Sequence, residues 1–89
     1  MNDNIERFRK LLSGQKEWPM LYYFKFIISN DQQKLDQVRS LFIDQYTITY
    51  KTSKDLKYIS LSCKQYMTDP ESIISIYKKA GLVEGLIAL

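Results

Sequence analysis

Tyr23, Lys25, Lys57, Tyr58, Ser60 and Lys64 are the side chains of this 89-residue chain best suited to chemistry. The chemistry they offer is recognition. Tyrosine rings stack on bases or on apolar groups, and lysines attract phosphate or carboxylate. Lys57 and Tyr58 open the alternating run "KYISLSCK", which reads as one strand of a sheet with one wet face. Between Tyr46 and Thr68 four lysines stand against one acid, Asp55, and this local excess equals the net charge of the whole chain, +3. Lysines in such a run also guard a sheet edge against unwanted pairing. For a patch this small the edge reading is preferred.

Bond-making chemistry finds few candidates. There is no histidine, so a Ser-His or Cys-His pair and a histidine metal ligand are excluded. A single cysteine, Cys63, cannot build a thiolate zinc site. The three glycines are isolated at positions 14, 81 and 85, so no glycine-rich phosphate loop exists. No two carboxylates form an acid/base pair evident from spacing. Cys63 has only Lys64 nearby to lower its pKa and falls on an apolar face, where a cysteine acts as a small hydrophobe. The expectation is a protein that is not an enzyme and carries no cofactor.

Size and composition set the frame for these residues. Eighty-nine residues make one domain, and the 45% apolar and 26% charged content is ordinary for a globular chain. One cysteine suits a reducing compartment. The N-terminal "MNDNIERFRK" lacks the apolar segment of a secretory leader, and no apolar run approaches the ~20 residues of a membrane helix. A cytoplasmic protein without a membrane segment is expected.

The elements follow from periodicity. Ile5, Phe8, Leu11 and Leu12 recur at helical spacing, with Asp3 and Glu6 as a capping box and Gly14 as the stop. Residues 1–17 read as this amphipathic helix and a link, which pack on the domain or hold a partner, packing being the usual outcome. After Trp18-Pro19, "MLYYFKFIIS" reads as a strand with Tyr22, Phe24, Phe26 and Ile28 toward the core. "SNDQQKLDQVRSLFIDQ" reads as a helix capped by Asn30 and buried through Leu35, Val38, Leu41 and Phe42. "YTITYKTS" is the second strand, with Tyr46, Ile48 and Tyr50 on one face. Thr52 to Leu56 turn, and Lys57 to Lys64 return as the third strand, Ile59, Leu61 and Cys63 inward. Asp69 or Thr68 caps the next helix, Pro70 begins it and Gly81 ends it. Its buried face is Ile73, Ile76, Tyr77 and Ala80. "LVEGLIAL" closes as a final strand.

From residue 18 to 89 the order is strand, helix, strand, strand, helix, strand. This is the ferredoxin-like βαββαβ order of an α+β domain. It predicts a four-stranded antiparallel sheet with two helices on one face, plus the extra N-terminal helix. The open face would carry Tyr23, Lys25, Ile27, Thr47, Thr49, Lys51, Tyr58, Ser60, Ser62 and Lys64, mixed polar with a few rings.

The stretches "WPMLYYFKFII", "SKDLKYISLSCKQYMTDPESIISIYKKAG" and "VEGLIAL" resemble the small bacterial YbeD-like family, a domain of unknown function. The resemblance spans roughly Trp18 to Leu89. It rests on Pro19 before an aromatic strand with "FKFI" (Phe24 to Ile27), the turn from Ser53 to Tyr58, and the terminal Ala88-Leu89. Glu84-Gly85 is similar to the variant seen in Bacteroidetes-type bacteria. Leu56 stands where the family has glycine. A leucine is strained at positive φ, so this turn is expected to take another shape or to place Asp55 in the left-handed region. The resemblance implies a ferredoxin-like fold and similarity to ACT-type regulatory domains, which bind small ligands and associate through sheet edges or helices. It implies no activity and transfers no functional residue.

Two functions follow as expectations. The first is a non-catalytic, ACT-like regulatory or protein-interaction domain, with a protein partner or self-association through the terminal strand Leu86 to Leu89. A small-molecule ligand is less favoured, because the loop Ser29-Asn30-Asp31 has no glycine. The second is a single-stranded RNA-binding module on the open sheet face, using Tyr23 and Tyr58. Lys57-Tyr58-Ile59-Ser60 lacks the glycine and the second ring of the RNA-recognition signature. Tyr23 and Tyr58 also read as cross-strand neighbours that simply stabilise a wet face.

Overall fold

The computed structural model describes residues 3–15, 17–42 and 47–89. The Asp3 side chain of the expected capping box, the helical reading of 43–45 and the placement of Tyr46 lie outside the described residues. The elements are α1 (Asp3–Ser13), β1 (Met20–Ser29), α2 (Gln32–Arg39), β2 (Ile48–Thr52), β3 (Tyr58–Met67), α3 (Pro70–Ala80) and β4 (Ile87–Ala88). The protein is α+β, with a four-stranded antiparallel sheet in the order β2-β3-β1-β4. The connection through α2 carries the chain from β1 past β3 to β2. The connection through α3 carries it from β3 past β1 to β4.

Alternation in the two central strands builds the core. Phe24, Phe26 and Ile28 of β1 and Ile59, Leu61, Cys63 and Met67 of β3 are buried. They pack with Val38 of α2 and Ile73, Ile76 and Ala80 of α3. The helices therefore cover one sheet face and leave the other open.

α3 forms as its boundary residues predict. Asp69 is the N-cap, its carboxylate accepting from Ser72 N at 2.8 Å, and Pro70 occupies the first turn. Gly81 follows the helix without using the left-handed conformation, at φ −63. Leu82 N and Val83 N instead donate to Lys79 O and Ala80 O, tightening the end into i→i+3 bonds.

α1 lies against α3 as a further layer. Phe8 meets Tyr77 edge to face at 5.4 Å, Arg9 bridges Glu6 and Glu71, and Leu12 joins the core. Leu11, expected in the buried stripe, is 71% exposed. Ile5, Phe8 and Leu12 form a narrow seam, and Leu11 lies about a quarter-turn round the helix from it. α1 also accounts for Ile74, which is buried although the expected face of α3 omits it. Ile74 sits between Glu71 and Tyr77 at i±3 spacing, and both of those residues touch α1.

Three other expectations are corrected. The cap of α2 is Asp31, whose carboxylate accepts from Gln33 N, and not Asn30. Asn30 Nδ2 donates to Leu56 O at 2.8 Å instead. α2 ends at Arg39, sooner than the apolar spacing implied. Leu41 N and Phe42 N donate to Val38 O and Arg39 O, and this tighter turn swings Phe42 onto Phe24 and Phe26. Tyr50 shares a face with buried Ile48 but stays 46% exposed, because β2 is the edge of the sheet.

The β2–β3 turn is the most unusual backbone in the chain. Leu56 itself takes the left-handed conformation, φ 62, where a turn of another shape or a left-handed Asp55 was expected. Asp55 stays out of that region because its carboxylate is engaged: it accepts from Ser53 Oγ at 2.7 Å and Lys57 N at 3.1 Å. These bonds hold the carboxyl below the usual carboxylate range. Asn30 then fixes the Leu56 carbonyl. The Leu56 side chain is 66% exposed, so packing does not offset its backbone strain. Leu56→Gly is expected to stabilise the fold by about 1 kcal/mol, raising Tm by about 4–8 °C in a thermal melt. A lower Tm would show that the leucine side chain contributes more than its strain costs.

Candidate functional site

The open face is assembled by register. β1 and β3 run side by side for ten rungs, from Met20–Met67 to Ser29–Tyr58. β2 pairs with β3 from Ile48–Cys63 to Thr52–Ile59, and β4 pairs with β1 only at Phe26–Ala88 and Ile27–Ile87. The outward side chains therefore fall in rows. Leu21 stands beside Tyr66, Tyr23 beside Lys64, and Lys25 beside Ser62 and Thr49. Ile27 stands beside Ser60 and Lys51, and Ser29 beside Tyr58.

At the centre, Lys25, Thr49, Lys51, Ser60 and Ser62, with Tyr50 at the rim, line a shallow depression of about 210 Å³. Two lysines and three hydroxyl-bearing residues line it, and no carboxylate does. Such a set donates hydrogen bonds to anionic oxygens. None of the outward-facing positions of the four strands is Asp or Glu, so the face carries charge of one sign.

The six candidate residues divide into three groups. Lys25 and Ser60 belong to the depression. Tyr23 and Lys64 form their own pair, with Lys64 Nζ 5.3 Å from the ring centroid in a cation–π contact. Lys57 and Tyr58 stand at the hairpin end, where Lys57 N and Tyr58 N are held by Asp55 and Ser53 Oγ. Tyr23 and Tyr58 are not cross-strand neighbours. Tyr23 faces Lys64 and Tyr58 faces Ser29, so the rings stand six residues apart along β3, or about 20 Å. Adjacent stacked bases are about 3.4 Å apart, so the two rings cannot serve neighbouring bases of a stack.

Tyr66 is the exposed ring that the sequence reading missed. β3 runs to Met67, three residues beyond Lys64, and puts Tyr66 beside Leu21. The signal was present, since the alternation continues to the inward Met67. Polar Gln65 at an inward position interrupted it.

Cys63, Arg9 and Glu71, which also have chemical capacity, have structural work. Cys63 is buried, its Sγ 3.4 Å from Thr47 Oγ1. Arg9 holds the Glu71 carboxyl below the usual carboxylate range. Among the described residues no group of three His, Cys, Asp or Glu side chains could hold a metal ion, and no helix is long and apolar enough to cross a membrane. No family model, curated protein or solved structure matches the chain.

Proposed function

We propose that this chain is a non-catalytic interaction domain of ferredoxin-like, ACT-like architecture that docks an acidic protein partner on its open sheet face. The strand order and the two crossover connections support the ferredoxin-like reading. The observation that carries the function is the single-signed open face, with Lys25 and Lys51 flanking three hydroxyls. Ammonium and hydroxyl donors at close spacing suit carboxylate side chains presented by a protein surface.

The β1–α2 loop favours a protein over a small metabolite. Asn30 is bonded to Leu56 O through its side chain and to Lys57 O through its N–H. Asp31 caps α2. The loop's polar groups are thus engaged in the fold and offer little to a ligand. Single-stranded RNA, the other class of partner, has less support, because the register separates Tyr23 from Tyr58 and Lys64 lies over the Tyr23 ring.

An amide NMR titration with an acidic peptide, and separately with short single-stranded RNA, tests the proposal. The peptide is expected to shift Lys25, Thr49, Lys51, Ser60 and Ser62, with affinity falling as salt rises. The Lys25→Ala/Lys51→Ala variant is expected to bind about tenfold more weakly. RNA shifts on Tyr23 and Tyr58 that persist at physiological salt, with no response to the peptide, would replace this reading with the nucleic-acid one.

A further inference from the structure

We propose that the partner of the open face is a phosphorylated protein, and that the depression between Lys25 and Lys51 holds the phosphoryl group of one of its serine or threonine side chains. This rests on the acidic-partner reading and names the anion the partner presents.

Register places the donors around one point. Lys25, Ser62 and Thr49 share one row of the face, and Ile27, Ser60 and Lys51 share the next. Lys25 and Lys51 therefore stand on opposite flanking strands, one row apart, with Ser60 and Ser62 between them on β3. Strand spacing and rise put the two lysine Cα atoms about 12 Å apart, so a point above the serines lies about 6 Å from each. A four-carbon lysine stem reaches that far. Ser60 and Ser62 are half-buried and make the floor, while Lys25 and Lys51 are exposed and make the walls. Among the described residues the side chains of these four have no hydrogen bond or ion pair. Thr49 Oγ1 already donates to Ser62 O at 3.5 Å, so it is not needed as a fifth donor.

A phosphate monoester suits this set better than a carboxylate. It carries about −1.5 to −2 charges at pH 7 on three terminal oxygens, and two ammonium groups balance that charge. A carboxylate carries one charge on two oxygens. Its acceptor sites lie in one plane, whereas these donors rise from below and close from two sides, as around a tetrahedral group. Lys25 on β1 and Lys51 on β2 are the charged groups at the depression, and β3 contributes only serines there. No outward Asp or Glu on the four strands opposes the second negative charge.

The two rings that cannot serve neighbouring bases point to a peptide as the carrier. Tyr58 lies one row beyond Ser60, and Tyr23 lies one row beyond Lys25 and Ser62, so the depression sits midway between them. Each ring is about 10 Å from its centre. An extended peptide in the polyproline II conformation turns every third side chain to the same side, at about 3.1 Å per residue. With its phosphorylated residue over Ser60 and Ser62, it sets the side chains three positions before and after it over the two tyrosines. Tyr23 stays 65% exposed and Tyr58 51% exposed, so both offer apolar surface to such residues. A free phosphate ion would leave both rings unused.

Fluorescence anisotropy with the full chain tests this. The probe is a labelled peptide with phosphoserine at its centre and leucine three positions to each side. Its counterpart carries glutamate at the centre. The phosphopeptide is expected to bind about tenfold more tightly at pH 7.5. Its affinity is expected to fall several-fold by pH 5, because the second phosphate pKa is about 6, while the glutamate peptide changes little. The chain has no histidine, so that fall reports the ligand and not the protein. Ser60→Ala/Ser62→Ala is expected to narrow the preference to about threefold or less. Equal binding of the two peptides, with no fall at pH 5, overturns the phosphoryl assignment and leaves the acidic-partner reading standing. Binding of neither peptide overturns both. A preference for phosphoserine that survives in Lys25→Ala/Lys51→Ala puts the site elsewhere and overturns the assignment, as does inorganic phosphate that competes as well as the unlabelled phosphopeptide.

Discussion

Phe24→Ala is expected to remove about 3–5 kcal/mol, a large share of the stability of a chain of this size. Phe24 is 1% exposed and lies at the meeting point of every layer. Its ring stands 4.7 Å from Tyr22, 5.3 Å from Phe42, 5.5 Å from Tyr77 and 6.2 Å from Phe26. Truncation leaves a cavity walled by rings on different elements, and such walls relax little. The loss must be set against a total stability of roughly 4–13 kcal/mol for a chain of this size. Urea unfolding followed by circular dichroism measures it, with Phe24→Leu as the control that keeps most of the volume. A loss below about 1 kcal/mol would mean that Phe24 does not occupy the centre described here.

Tyr77→Ala is expected to cost about 3 kcal/mol and to act unevenly through the molecule. The Tyr77 ring joins α3 to Phe8 of α1 and to Tyr22, Phe24 and Phe26 of β1. Its loss removes the main ring contact that seats α1. Amides of α1 should therefore exchange faster than those of β1 and β3, which hydrogen-exchange mass spectrometry resolves. Tyr77→Phe separates the hydroxyl from the ring. It gives up the 3.0 Å hydrogen bond to the Tyr22 hydroxyl at about 1 kcal/mol and leaves α1 in place. Burial, reinforced by Tyr22, pushes the Tyr77 phenol well above its ordinary value. Because the folded value is the higher one, this contribution is fully present below about pH 10, where the unfolded phenol is still protonated. It is lost as the pH rises further. Tyr77→Phe should flatten that alkaline fall, and equal exchange rates across all elements in Tyr77→Ala would show that α1 is seated by other contacts.

Faces were legible in the sequence, and partners were not. The alternation of Tyr22 to Ile28 and of Tyr58 to Lys64 identified which side of each strand is buried, because side-chain direction is a local property with period two. It said nothing about which residues stand opposite one another. Register is set by pairing between distant segments, so the idea that Tyr23 adjoins Tyr58 failed and the depression around Lys25 and Lys51 went unnoticed. Helix ends divide in the same way. Asp69 and Pro70 act on their own helix, and both were read correctly. Asn30 was misread as a cap because its true partner, Leu56 O, lies across the fold. The exposure of Leu11 and the burial of Ile74 both depend on where α1 rests, which its own periodicity does not encode. Leu56 is the sharpest case. Residue preference argued against a left-handed leucine, but Asp55, Ser53 and Asn30 together hold it there.

The pairing of β1 with β3 also bears on how the chain is made. Its rungs join residues 29 apart in sequence at Ser29–Tyr58 and 47 apart at Met20–Met67. β1 holds Phe24 and Phe26 at the centre of the core, and it leaves the ribosome well before the strand that covers it. At about 5–20 residues per second, the wait for Met67 lasts roughly 2–9 s. During that interval an aromatic-rich segment with both edges unpaired is exposed on the nascent chain. A segment exposed in this way is prone to aggregate, so early contacts that shield it bear on how much of the chain reaches the finished fold.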